Sequence, residues 1–495
     1  MNPYLVISVF TGYVMILLFI AHRTGSKSTE DSSQFFLAGR SAPWYVVAFG
    51  MLGASLSGVT FISVPGWVGT QGFTYMQMVL GYLAGYAFIM AVLLPLYYRL
   101  GLTSIYGYFA ERYGPKAYKT GASFFILSRT IGAAFRLFLV ALVVQMFVLE
   151  PLGWDLHLDL MGQWNAPVGL AVAVAIILGV IYAYTRNGGI GTIVWTDTLQ
   201  TGAMLIAVIW AIVVLTDQLN WSLWELPQHV QSTPWSKFWV WDDWKAPNHA
   251  VKHFLAGAFV ATAMTGMDQD MMQKNLACKN LREARWNMGS FSIVLVAVNV
   301  LFLTLGVLLY AFATQEGIEI GRADGLFPTI ALTSSLGVAL GMAFLVGLLA
   351  SAFSSADSAL TALTTSVCVD LMGTEGMPSK QGLDVRKRVH LGMTATLFFV
   401  ILVFSTLQDT SVVSAIFTAA NYTYGPLLGL FAFGLTTKRI SKDRWIPWVA
   451  VASPIFCYAL ESTLQELHGF SFGFALLPVN GLITYLGLFL ISTPD

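Results

Sequence analysis

The sequence predicts an all-α protein that crosses a membrane many times, and three observations carry that expectation. Hydrophobic residues make up 56% of 495, charged residues only 11%, and the mean hydropathy is +0.69, far from the balance of a soluble domain. The apolar residues gather into runs of membrane length. A span needs roughly 20 mostly apolar residues, and 13 such runs can be marked, at about 4–22, 44–68, 74–99, 119–149, 166–185, 191–215, 251–270, 288–314, 337–370, 386–408, 410–435, 445–463 and 470–492. Basic residues, finally, are segregated. The alternate loops that begin after the first span hold twenty Lys and Arg, Lys274 among them, and the opposite set holds three. That asymmetry predicts an N-terminus outside the cell and a C-terminus inside it.

Composition also removes whole classes of function. A formal net charge of zero argues against a nucleic-acid partner. Cys278, Cys368 and Cys457 fall in different segments without ligand spacing, so free thiols are expected. The first apolar run lacks the basic start of a cleaved signal and is expected to stay as a span.

Residues 1–43 form a leading helix and a polar linker ending at Pro43. The second span then carries four glycines, a proline and four hydroxyl residues within residues 50–66, a poor recipe for a continuous helix. A break is expected between Gly53 and Gly58. Unwound backbone at membrane depth is tolerated where it lines a cavity, and its freed carbonyls are then available to a cation. Arg129 and Arg136 lie seven residues apart on one face of the fourth span. A buried guanidinium either pairs with a buried acid or grips an anionic solute, and the sequence leaves both uses open.

The sixth span opens with N-G-G-I-G-T-I-V-W-T-D-T-L-Q, which puts Asp197 inside the membrane, where it needs a cation or a proton. In the seventh, A-T-A-M-T-G-M-D-Q-D-M-M-Q-K interrupts an apolar run as the second span does. Asp268 and Asp270 there lie near the inner mouth and suit a gate. His249 and His253 are spaced i, i+4 at the other end, with no third ligand close in sequence for a zinc site. The ninth span supplies the longest polar stripe: Ser351, Ser354, Ser355, Ser358, Thr361 and Thr365 share one face at 100° per residue, with Asp357 at its edge. Single hydroxyls often serve only as helix-to-helix glue. A carboxylate beside six of them points instead to a hard-cation site.

The interrupted spans are five helices apart. An odd repeat length makes the second copy enter the membrane from the other side, the inverted-repeat plan of secondary transporters. On that plan residues 1–495 are a single transmembrane domain, with repeats at 44–215 and 251–435 and two trailing helices at 436–495.

G-G-I-G-T-I-V-W-T-D-T-L-Q, the D-Q-D-M-M-Q-K stretch at 268–274 and S-S-A-D-S from Ser354, in this order, resemble the sodium:solute symporter family of sodium-coupled proline, glucose, sialate and iodide carriers. The resemblance runs over nearly the whole chain. It implies a LeuT-like inverted repeat with one extra leading helix, sodium-driven uptake of a small polar solute (sugar, amino acid or organic acid), and sodium as the coupling ion without any cofactor. Beyond the ion, the solute and the lipid bilayer it implies no nucleic acid and no obligate protein partner. Carried over by position, the sodium site consists of the carbonyls of Gly53, Leu56 and Ser351 with the hydroxyls of Ser354 and Ser355. A second cation or proton site falls on Asp197 and Ser358, with Asp357 where the family has a small hydroxyl. Substrate residues fall on Ser55, Ser57, Thr60, Thr262, Thr265, Thr418 and Asn421. Members that bind carboxylates use an arginine in the fourth span, and that position falls on Gly132, leaving Arg129, one turn away, as the candidate.

Neither H-E-x-x-H nor a nucleophile constellation marks an enzyme. A proton-coupled carrier and a membrane sensor on the same fold are the alternatives, though a sensor is expected to carry a signalling domain beyond Asp495. The absence of extra domains points to a bacterial inner membrane.

Overall fold

A computed structural model describes residues 3–25, 36–153, 157–160, 164–333, 336–374, 377, 379–405 and 412–494. Part of the expected linker (26–35) and the first residues of the span expected from 410 lie outside the described residues. The main helices are α1 (Pro3–Gly25), α2 (Trp44–Ser55), α3 (Gly58–Gln71), α4 (Tyr75–Phe88), α5 (Pro115–Val144), α6 (Val168–Gln218) and α7 (Ala250–Ala261) in the first part of the chain. They are followed by α8 (Gln269–Leu276), α9 (Leu281–Glu316), α10 (Val338–Ser366), α11 (Ser379–Ser405), α12 (Val412–Thr436), α13 (Ile446–His468) and α14 (Leu476–Leu490). Two small antiparallel ribbons, His157–Leu160 with Trp164–Pro167 and Ile440–Ser441 with Ser492–Thr493, are the strands among the described residues.

Nine stretches of the described residues are long and apolar enough to cross a membrane. Two of the four expected spans outside these nine, at 44–68 and 251–270, are interrupted; the other two are the unbroken helices α12 and α13. A helix broken in mid-membrane yields two pieces, each too short to qualify, as with the 12 residues of α2 and the 12 of α7. Conversely, residues Gly58–Leu100 run on as one apolar stretch of 43 residues, and α6 holds two spans, Val168–Arg186 and Ile190–Gln218, on either side of Asn187-Gly188-Gly189.

The layout puts α10 at the centre, packed along α6 and also against α1, α5 and α2. Against its Phe353 stand Phe10 and Tyr13 of the leading helix, ring centroids 6.3 and 5.9 Å away. Every residue of α10 from Gly347 to Ser366 is buried, so the hydroxyl stripe faces protein and never lipid. Helices α4 and α7 pack closely because both carry glycine at the contact; a Cβ at Gly257 would overlap the Met78 carbonyl, the small-residue logic of helix packing in membranes.

Helix ends are satisfied by side chains from distant segments. Asp443 accepts from the backbone N–H of Lys116 (3.0 Å) and of Ala117 (2.8 Å) at the start of α5, and Arg112 donates to the carbonyls of Thr437 and Arg439 beyond α12. These contacts match anion and cation to the two helix poles.

Candidate ion and solute site

The first break lies where the glycine and hydroxyl density places it. α2 ends at Ser55, Leu56 leaves helical geometry (φ −87°, ψ 73°), Ser57 is extended, and α3 begins at Gly58. Consequently no backbone N–H among the described residues returns to the carbonyls of Gly53 or Leu56, the orphan acceptors that a helix C-terminus leaves. Gly53 faces α10 directly: a Cβ there would overlap Thr201 Oγ1 and come within 2.8 Å of Ser354 Oγ. On α10 the Ser355 hydroxyl donates to the Ser351 carbonyl (2.7 Å), and the Ser354 hydroxyl donates to Asp197 Oδ1 (2.6 Å). Both serine oxygens keep lone pairs. Gly53 and Ser354, expected ligands on the two helices, therefore stand across one narrow seam, and the full expected set is all oxygen, of the kind a hard cation takes.

The second break has a different fate. α7 passes through a π-turn at Thr262–Gly266, the chain leaves helical geometry at Met267 and Asp268, and α8 starts at Gln269. Here two of the freed carbonyls are already taken. Tyr97 donates to Gly266 O (2.8 Å) and Tyr106 to Met267 O (3.0 Å), while the Gln269 side chain clamps the backbone of Thr103 and Ile105. One break thus offers oxygens to an ion, and the other has two of its carbonyls held by tyrosine hydroxyls.

Between the breaks lies a cavity of about 110 Å³, lined by Ser55, Leu56, Ser57 and Thr60 of the first break, Thr265 and Met264 of the π-turn, and Tyr75, Tyr82, Tyr86, Asn299 and Phe417. Both arginines of α5 reach it, in unlike states. Arg129 pairs with Asp270 and lies 3.9 Å from Asp268, whose other contacts are the Tyr424 hydroxyl (2.5 Å) and the first N–H groups of α8. It closes one end of the cavity. Arg136 lines the cavity with its buried Nε and Nη1 meeting no hydrogen-bond acceptor.

Several expected substrate residues fall elsewhere. Thr262 turns its hydroxyl back onto the Ala258 carbonyl, 2.8 Å away, as hydroxyls inside helices often do, and does not line the cavity. Thr418 and Asn421 line a separate hollow of about 550 Å³ with Trp67, Asn248, His253 and Glu461. They sit there because α12 presents that face to α14 and to the 471–474 segment; Asn421 donates to Gly473 O (3.2 Å). Arg129, the expected anion ligand, is instead neutralised by Asp270.

The second expected site contains a lysine that its sequence position assigns to a loop. Lys274, 1% exposed, reaches from α8 into the bundle, and its ammonium donates to Asp197 Oδ2 and to Ser358 Oγ, each at 2.7 Å. Asp357 does not join Asp197 through any described hydrogen bond. Its oxygens accept instead from the Tyr184 hydroxyl (2.8 Å) and from the backbone N–H of Ser358 (2.6 Å). His249 accepts from the Val251 N–H at the start of α7, while His253 lies against the Thr74 carbonyl; no cluster of three metal-ligating side chains occurs among the described residues.

A buried polar cavity between two interrupted helices, inside a bundle of membrane-length helices, is the architecture of a membrane transporter and not of an enzyme. The chain belongs to the sodium:solute symporter family, whose model matches residues 35–443. A sodium/sialic acid symporter of Aliivibrio fischeri is 24% identical over 95% of this chain and 89% of its own. A sodium-coupled monocarboxylate transporter of Xenopus laevis is 24% identical over 89% of this chain and 70% of its own. Among solved structures, a Na+-coupled sialic acid symporter in a substrate-bound, outward-open state superposes with a TM-score of 0.79, covering 99% of both chains at 18% identity. The fold is thus that of this transporter class.

Proposed function

We propose that this protein is a sodium-coupled symporter of a small organic anion, a monocarboxylate in the first place. One observation carries the substrate class. Arg136, half-buried, turns toward the cavity between the broken helices a guanidinium whose buried Nε and Nη1 meet no acceptor among the described residues. An unpaired charge in that setting is costly, and a carboxylate that meets it in fork geometry removes the cost and gains charge-assisted hydrogen bonds. Size supports the same reading. The cavity, about 110 Å³, is a little smaller than the roughly 150 Å³ that holds a benzene molecule.

Sodium binds at the first break, through the carbonyls of Gly53, Leu56 and Ser351 and the hydroxyls of Ser354 and Ser355, and so fastens the break to α10. Solute then sits beside it against Ser55, Ser57, Thr60 and Thr265. The Arg129–Asp270–Asp268–Tyr424 network is the gate that must open for release on the far side. The chain runs as thirteen spans with repeats at 44–215 and 251–435, the N-terminus outside, in a bacterial inner membrane.

The test is uptake into proteoliposomes of radiolabelled acetate, lactate and pyruvate, with sialic acid, glucose and proline as comparison, in sodium against potassium. A monocarboxylate is expected to enter only with sodium. Arg136→Ala should then raise its KM roughly 10- to 150-fold, the worth of a hydrogen bond to a charged group at about 1.5–3 kcal/mol. Uptake of glucose or proline instead, unchanged in that variant, would refute the anion reading.

A further inference from the structure

We propose that Lys274 is a built-in cation that fills the second ion position of this transporter, so that the protein binds and carries one sodium and not two. The inference rests on the sodium reading of the first break. It starts from the surroundings of Asp197. One carboxylate oxygen, Oδ1, accepts from Ser354 (2.6 Å); the other, Oδ2, accepts from the Lys274 ammonium (2.7 Å) and from Ser358 (3.3 Å). The same ammonium takes Ser358 Oγ at 2.7 Å. Asp197 and Ser358 are the oxygens that a second metal cation would need. Both are already spent on a positive charge of the protein's own.

Three features separate this from an ordinary buried ion pair. Lys274 and Asp197 are 1% and 0% exposed, so no water screens the ammonium from a newcomer. A metal ion entering the cluster would add a second positive charge beside an ammonium that already pairs with Asp197. The arrangement also spans three elements. Lys274 leaves α8 six residues after the second break and crosses to Asp197 on α6 and Ser358 on α10, and Asp197 links it to Ser354, itself a ligand of the proposed first sodium position. A lysine that only pinned α8 to α6 would not need the α10 hydroxyl. Finally, the ammonium is tethered. A metal ion at this position would leave with each cycle, whereas Lys274 stays and moves with the second broken helix.

The experiment counts sodium ions. Equilibrium binding of 22Na+ to the purified full-length chain, with potassium as background salt, should give one equivalent for the native protein. Lys274→Gln removes the charge and frees Asp197, and is expected to bind two equivalents. Lys274→Gln combined with Asp197→Asn should return to one. Two equivalents in the native protein would overturn the proposal, and so would a folded Lys274→Gln that still binds one, the result of a merely structural pair. If Lys274→Gln does not fold, the slope of native stability against sodium decides. One site multiplies the folding equilibrium constant about tenfold for each tenfold rise in sodium above Kd, and two sites about a hundredfold; the hundredfold slope overturns. No saturable 22Na+ binding at all would instead reject the sodium reading of the first break, a separate failure.

Discussion

Gly53 stands where two helices come so close that a methyl group has no room. An added Cβ would overlap Thr201 Oγ1 and press on Ser354 Oγ at 2.8 Å, and Thr201 is itself fixed by its 2.7 Å bond to the Asp197 carbonyl. Gly53→Ala should therefore cost about 1–3 kcal/mol, typical of overpacking, and push the break away from Ser354 and Ser355. Its sodium-dependent rise in melting temperature is expected to vanish while the protein stays folded; an undiminished rise would remove Gly53 from the ion site. The break itself was legible in the sequence, since glycine, proline and hydroxyl residues crowd residues 50–66. So was the stripe on α10, because helical periodicity alone aligns its hydroxyls. What the sequence did not disclose is which of two arginines on one face pairs with an acid. That depends on Asp270, 141 residues away from Arg129. Lys274 was hidden for a similar reason: at the end of D-Q-D-M-M-Q-K it reads as the first charge of a loop, and only the packing of α8 against α10 turns it inward.

The second broken helix is tied down by elements far apart in sequence. Arg129 of α5, Asp268 and Asp270 around the start of α8, and Tyr424 of α12 meet at one point, and the carbonyls of the break are held by Tyr97 and Tyr106. Arg129→Ala leaves Asp270 as an uncompensated buried charge, a defect worth about 3–5 kcal/mol. That variant should lose far more resistance to heat or denaturant than Arg136→Ala, which removes a guanidinium whose Nε and Nη1 meet no acceptor among the described residues. Similar melting temperatures for the two would mean that the Arg129 pair does not latch the elements. Thr262 and Thr418 show the limit of reading hydroxyls from sequence at this scale. A hydroxyl in a helix satisfies its own backbone or faces a neighbour according to rotamer and packing, neither of which periodicity determines.

For the molecule as a whole, the asymmetry between the two breaks sets the expected ligand response. The first leaves the Gly53 and Leu56 carbonyls without a backbone partner among the described residues and beside α10, so sodium should stabilise the entire bundle by fastening α2 and α3 to the central α10. A ligand that binds only the folded state adds RT ln(1 + [L]/Kd), about 2.7 kcal/mol at a hundred times Kd. The melting temperature is expected to climb with sodium and stay flat with potassium, and the climb should disappear in Ser355→Ala. Equal curves in the two salts would argue for a different driving ion. The class and the general architecture could be read from composition and from the spacing of the interruptions. The number of complete crossings could not, because a broken helix and a continuous one of equal apolar content look alike until the backbone is traced.

Lys274 bears finally on the energy source of the cell that carries this protein. If its tethered ammonium replaces one of two sodium ions, then one sodium entering with one monocarboxylate moves no net charge. The transmembrane potential, worth about 2.3 kcal/mol per charge at 100 mV, neither assists nor opposes such a cycle. The solute can then be concentrated only as far as sodium is kept out: a tenfold sodium gradient, about 1.4 kcal/mol, sustains a tenfold accumulation. Uptake would continue in a depolarised cell and stop in one that has lost its sodium gradient.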